Sequence, residues 1–106
     1  MSRALLAAAF ALLPLPALAA GYAEEGDVIA HQWCAECHVV DDAQTSADAA
    51  APSFQAIAKK YGEDGMGALA AFLADPHPVM PDMSLTRQEI RDLTAYISSL
   101  RAKSGG

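Results

Sequence analysis

The fold class this sequence predicts is an all-α domain of about four short helices, and three observations predict it. Apolar residues recur at three- and four-residue spacing in four separate stretches, the mark of amphipathic helices. Helix breakers punctuate these stretches: Pro52 before the second, Gly62 after it and Pro76 after the third. No βαβ pattern is visible.

The first 20 residues stand apart. Met1-Ser2-Arg3 leads into an Ala/Leu/Phe run, broken by Pro14 and Pro16, that ends Ala17-Leu18-Ala19-Ala20. A basic start, a short apolar stretch and an Ala-x-Ala ending describe a secretory signal peptide, with cleavage expected after Ala19 or Ala20. The run is short for a bilayer span, which needs about 20 apolar residues. The expected division is therefore 1–20 as a cleaved signal peptide and 21–106 as one domain. Export places that domain in the periplasm, with no stable membrane insertion after cleavage.

Of 106 residues, 53% are hydrophobic, and the formal net charge is -6. Loss of Arg3 with the signal peptide makes the charge about -7, on about 86 remaining residues. That length is small for a core without reinforcement. The acidic balance argues against nucleic-acid binding, which favours a basic face.

From Gly26, Val28-Ile29 and Gln32-Trp33 fit a first helix running into Cys34, with Asp27 in its first turn. Trp33 is read as core packing, with contact to a cofactor or a partner as the alternative. His31 is read as a solvated helix position. After His38 the chain turns polar through Asp41-Asp42 and Gln44-Thr45-Ser46, a surface loop followed by an alanine run. Phe54, Ile57 and Ala58 make a second helix over 53–61, closed by Gly62. Leu69, Phe72 and Leu73 give a third over 68–74, with Met66 counted as core, and Asp75-Pro76 stops it. Three prolines between 76 and 81 then fix an extended, stiff loop. Thr86-Arg87-Gln88-Glu89 is a capping box that opens the clearest helix, whose stripe is Ile90, Leu93, Thr94, Ile97 and Leu100 beside Tyr96.

The chemistry sits in Cys34-Ala35-Glu36-Cys37-His38. Two thiols three residues apart, followed at once by an imidazole, are the C-x-x-C-H signature of c-type haem attachment. The thiols form thioethers to the haem vinyl groups, and His38 coordinates its iron. A thioredoxin-like redox pair would want a βαβ context. A zinc site would want a second ligand pair, yet Cys34 and Cys37 are the only cysteines and His31 and His77 stand alone. A haem also answers the size problem, since its flat apolar faces give the helices something to pack on. For a second iron ligand, the stiff loop offers His77, Met80 and Met83.

Together the motif, Pro52, Met80-Pro81 and a final helix with Tyr96 resemble the small class I cytochromes c, and the resemblance spans essentially the whole mature chain. It implies a cytochrome c-like fold wrapped around one covalently bound haem c, with N- and C-terminal helices crossing near Tyr96. Gly26 is the candidate for the point of close approach. The resemblance implies Met80 as distal ligand to His38, because the family commonly places Met-Pro before its last helix. It further implies that the segment at Pro52 supplies a carbonyl partner for the proximal histidine.

Six-coordinate His/Met iron is closed to substrate, so the expected function is a periplasmic one-electron carrier and not an enzyme. The alternatives are a haem enzyme or gas-binding protein with an open sixth position, and an electron-transfer subunit held by a larger dehydrogenase or oxidase. The expected partners are redox proteins, such as a periplasmic dehydrogenase, a cytochrome complex or a terminal oxidase. The acidic surface favours partners that are neutral or basic where they dock. The chain itself is expected to be a monomer or weak dimer.

Overall fold

A computed structural model describes residues 21–47, 51–76 and 80–104. The expected signal peptide, His77, most of the alanine run and the last two residues lie outside them. Among the described residues four α-helices occur, in the order α1 (Ala23–Ile29), α2 (Phe54–Tyr61), α3 (Met66–Ala74) and α4 (Arg87–Ser104). No strand occurs among the described residues, and the all-α expectation is met. No described helix is long and apolar enough to cross a membrane.

α1 begins three residues before the expected Gly26, so Glu24 and Glu25 rather than Asp27 occupy its first turn, where negative charge suits the helix dipole. It passes directly into a π-helical turn, Ala30–Cys34. Hydrogen bonds five residues apart widen this turn and rotate its side chains away from the directions a regular helix would give them. The packing departs from expectation here. Ile29 and Ala30 are buried, whereas Val28 and Trp33 are 60% and 51% exposed. Trp33, expected to pack in the core, lies instead on the lining of the cavity beside Cys34.

α1 packs most extensively on α4, and glycine permits the approach. A Cβ on Gly26 would lie 2.0 Å from the Asp92 carbonyl oxygen and 2.7 Å from the Tyr96 Cβ. Asp92 is buried, and its carboxylate accepts the Tyr22 N–H at 2.9 Å and the Gln88 side-chain amide at 2.7 Å, pinning the chain entry to α4. Leu93, Ile97 and Leu100 continue the apolar stripe into the core beneath α2 and α3. The capping box is formed: Thr86 Oγ1 accepts the Glu89 N–H at 3.0 Å, and the Glu89 carboxylate accepts the Thr86 N–H at 2.8 Å.

Ser53 caps α2 by accepting the Ala56 N–H at 3.1 Å, and Gly62 ends it at φ +66, where a side chain would be strained. α3 starts at Met66, earlier than its apolar spacing implied, behind a short 3₁₀ turn Glu63–Gly65.

The Tyr96 hydroxyl donates to the Val40 carbonyl at 2.6 Å, tying α4 to the chain just beyond His38. Burial, reinforced by Asp27, Asp41 and Asp42, pushes its phenol up to about 12, so it remains a donor throughout the physiological range. Tyr96→Phe leaves the carbonyl of a fully buried residue without this partner and is expected to lower stability by about 1–3 kcal/mol. Chemical denaturation of the holoprotein measures the loss.

Candidate haem site

Cys34 lies at the end of the π turn, and its carbonyl accepts both the Cys37 N–H at 3.2 Å and the His38 N–H at 2.9 Å. That double bond to one oxygen curls Cys34–His38 into a tight turn. The two thiols and the imidazole line the same cavity, of about 730 Å³. Both cysteines are free, Cys34 buried and Cys37 half-buried. Burial first, then the neighbouring Cys37, pushes the Cys34 thiol up to about 11. A thiol held neutral in this way is a poor redox nucleophile at neutral pH.

His38 is oriented from its far side. Its Nδ1–H donates to the Pro52 carbonyl at 2.6 Å, and the Phe54 N–H donates to the Val39 carbonyl at 2.9 Å. The segment 52–54 is thus stitched to 38–39 at two points. With Nδ1 committed, Nε2 carries the imidazole's available lone pair. Phe54 packs tilted against the His38 ring at a centroid distance of 5.3 Å, and Tyr96 lies 6.4 Å beyond Phe54. An aromatic row therefore runs from the α1–α4 crossing to the imidazole.

Gln44 is a positioning residue that sequence reasoning missed. Its side-chain amide nitrogen donates to the carbonyls of Ala35, His38 and Ser46 at 2.8, 2.9 and 3.0 Å, and its oxygen accepts the Val40 N–H at 2.9 Å. A polar residue in an aperiodic loop carries no local signal of such a role.

The rest of the cavity is largely apolar, with the exposed Glu36 and Lys60 also on its lining. α2 contributes Phe54, Ile57 and Tyr61; α3 contributes Leu69, Phe72 and Leu73; α4 contributes Leu93 and Ile97. The proline loop adds Met80, Pro81 and Met83, so both methionines face the same space. Beyond Met83 the chain turns at Ser84, φ 54, helped by the Asp82 carboxylate accepting the Ser84 N–H at 2.8 Å. An open, largely apolar cleft of this size has the character of a cofactor pocket. Two thiols, one free imidazole nitrogen and two thioethers on an apolar lining are a donor set that fits haem.

His31 does not line this cavity. Its Nδ1 lies 2.8 Å from the Asp27 carboxylate and 2.9 Å from the Asp27 carbonyl, and its Nε2 lies 2.7 Å from the Asp41 carboxylate. Asp41 in turn accepts the Ala43 and Gln44 N–H groups, while Asp42 accepts from the Gln55 side chain at 3.0 Å. The bond to the Asp27 carbonyl, with help from both carboxylates, raises the His31 pKa against the opposing effect of burial. Burial pushes Asp41 upward, but His31 and the two N–H groups outweigh it and hold its pKa low. The clamp is thus complete between the lowered Asp41 pKa and the raised His31 pKa. Its His31 contribution is full below the unfolded value near 6.5 and is lost as pH rises through the folded value. Because His31 is exposed and Asp41 partly so, the effect is expected to be about 0.5 kcal/mol or less and to shrink with salt. His31→Gln should remove this pH dependence from low-salt denaturation curves.

A small helical domain folded around a cysteine-tethered prosthetic group is the class these features define. The family model for cytochrome c matches residues 23–101. Over 79 residues the chain is 47% identical to cytochrome c-552 of Bradyrhizobium diazoefficiens, covering 74% of this chain and 75% of that protein. No solved structure gives a significant match. The chain belongs to the cytochrome c family: it is a small monohaem c-type cytochrome, an electron-transfer protein with covalently bound haem iron and redox proteins as partners.

Proposed function

We propose that the chain is a periplasmic one-electron carrier whose haem is joined to Cys34 and Cys37 and whose iron is held between His38 and Met80. One observation carries the reading: the His38 Nδ1–H is bonded to the Pro52 carbonyl, leaving Nε2 for a metal, in a cavity that Met80 also lines. When bound, haem supplies a one-electron Fe(III)/Fe(II) couple. The protein's part is to hold that couple with little rearrangement. Cys34 and Cys37 fix the group covalently, and the Pro52 carbonyl and Phe54 fix the imidazole plane. Leu69, Leu73, Leu93 and Ile97 exclude water, which together with a thioether ligand raises the potential relative to bis-histidine iron.

Residues 1–20 act as a cleaved export signal in this reading, and export delivers the chain to the compartment where the cofactor is attached. The test is an optical and electrochemical titration of the purified, matured holoprotein. The expected result is a low-spin spectrum in both redox states, one reversible one-electron wave and no binding of carbon monoxide at neutral pH. A high-spin ferric spectrum or ready carbon monoxide binding would overturn the reading in favour of an open sixth position. Mass spectrometry of the exported protein should place its N-terminus at Ala20 or Gly21.

A further inference from the structure

We infer that Gln44 holds His38 in one orientation in both oxidation states, and that the rate of electron transfer depends on this hold. The inference rests on the carrier reading, with His38 as iron ligand, and deepens it. It gives a loop side chain that does not line the haem cavity the task of limiting rearrangement on the proximal side.

All the polar groups of His38 except Nε2 are bonded. Its main-chain N–H donates to the Cys34 carbonyl at 2.9 Å, its Nδ1–H to the Pro52 carbonyl at 2.6 Å, and its own carbonyl accepts from the Gln44 amide at 2.9 Å. The bond to Pro52 fixes the far edge of the ring, but one bond leaves a ring free to pivot about it. The other two fix the peptide planes on either side of the His38 Cα, and with them the direction in which its side chain sets out. Of these two, the bond to Cys34 is made within the motif, whereas Gln44 reaches in from outside it.

The same amide nitrogen donates to the Ala35 carbonyl at 2.8 Å and to the Ser46 carbonyl at 3.0 Å, while its oxygen accepts the Val40 N–H at 2.9 Å. One planar group thus ties together main-chain positions on both sides of Cys37 and His38. Three carbonyls ask for a donor and one N–H asks for an acceptor, a demand that an amide meets and a carboxylate, with no hydrogen to give, does not. Gln44 is half-buried, where such bonds compete less with water. It is held from behind as well. The Asp41 carboxylate accepts the Gln44 and Ala43 N–H groups at 3.0 and 2.9 Å, and His31 Nε2 lies 2.7 Å from that carboxylate. A ligand that need not move when the charge beside it changes adds nothing to the barrier, as with any preorganised group.

The test uses matured holoproteins: wild type, Gln44→Met, Gln44→Glu and Gln88→Ala. Methionine is neutral and of similar length but donates no hydrogen bond; glutamate keeps an acceptor for Val40 and loses the donors. Gln88→Ala takes a donor from the buried Asp92 without touching the motif or the cavity, and controls for loss of stability alone. Two quantities are read by proton magnetic resonance. The first is the pattern of hyperfine-shifted haem methyl signals in the ferric protein, which reports the orientation of the axial ligand planes. The second is the electron self-exchange rate in mixtures of ferric and ferrous protein, which carries no driving force. Both Gln44 variants should redistribute the methyl shifts while remaining low-spin. Gln44→Met, which leaves the net charge and hence the encounter unchanged, should slow self-exchange by about threefold to tenfold. Gln88→Ala should keep both quantities at their wild-type values.

The inference fails if a matured Gln44 variant keeps the wild-type shift pattern, or if Gln44→Met exchanges electrons at the wild-type rate, for the amide would then only tie down a loop. It fails equally if Gln88→Ala changes the shifts, because ordinary destabilisation would account for the signature. If Gln44→Met does not mature, Gln44→Glu decides through its shifts. If neither acquires haem where Gln88→Ala does, the amide builds the site instead of steadying it, and the inference is again overturned. Failure of the carrier reading itself looks different: the wild type would lack a reversible low-spin couple.

Discussion

Replacing Met80 by alanine is expected to open the sixth coordination position while leaving the haem covalently attached. The variant should lose the weak long-wavelength absorption of ferric iron–thioether ligation and become high-spin or water-ligated. Its potential should fall on the order of 0.1 V, within the roughly 0.8 V range that axial ligands span. The attachment should survive, because Cys34, Cys37 and His38 are held by a turn and by Pro52 contacts that do not involve the proline loop. Met83→Ala is the discriminating control. Both thioethers line the cavity, so proximity to the space does not choose between them. The proline after Met80 does favour it, since a restricted backbone loses less entropy when its side chain is fixed on a metal. Met83 precedes Ser84, whose left-handed conformation already turns the chain toward α4. Met83→Ala should therefore preserve the low-spin spectrum and shift the potential only slightly. Loss of the long-wavelength band in Met83→Ala, with retention in Met80→Ala, would move the distal ligand by three residues.

The helices with strong local signals were legible from sequence alone. The capping box at Thr86–Glu89 satisfies helix ends by chemistry carried in four consecutive residues, and Gly62 ends α2 through its own φ. The C-x-x-C-H motif was legible for the same reason, being local covalent chemistry. Trp33 was not. Its size favours core packing, but its place on the cavity lining beside Cys34 depends on the widened turn at Ala30–Cys34 and on which side α4 occupies. Neither is written in the first helix. Gln44 and the His31–Asp41 contact were likewise hidden, because they join residues whose separation is set by the curl of the motif rather than by any periodicity. The same curl explains why His31 faces away from the cavity.

Gly26→Val is expected to be the most destabilising single substitution outside the haem attachment, and it tests the crossing on which the site depends. The added Cβ would sit 2.0 Å from a carbonyl oxygen of α4 and 2.7 Å from Tyr96 Cβ. Both are backbone or backbone-proximal atoms, so no flexible side chain can swing away, and the helices themselves must separate. Separation would loosen Tyr96, whose hydroxyl holds the Val40 carbonyl and whose ring stands behind Phe54 and His38. The expected cost is at least about 3 kcal/mol, above the usual range for overpacking with flexible neighbours. In a domain of this size that corresponds to a drop in Tm of about 12–24 °C. Gly67→Ala supplies the contrast. This glycine lies in the first turn of α3 with nothing within 4 Å of the added carbon, so alanine should stabilise the protein by up to about 1 kcal/mol through lower unfolded-state entropy. Thermal denaturation of the two holoprotein variants gives opposite signs if close approach of α1 and α4 is what requires a glycine at position 26. Equal, small effects would mean that the crossing tolerates a side chain there. If Gly26→Val also weakens the low-spin spectrum at temperatures where it remains folded, the crossing and the iron ligation are coupled through the Tyr96–Phe54–His38 row.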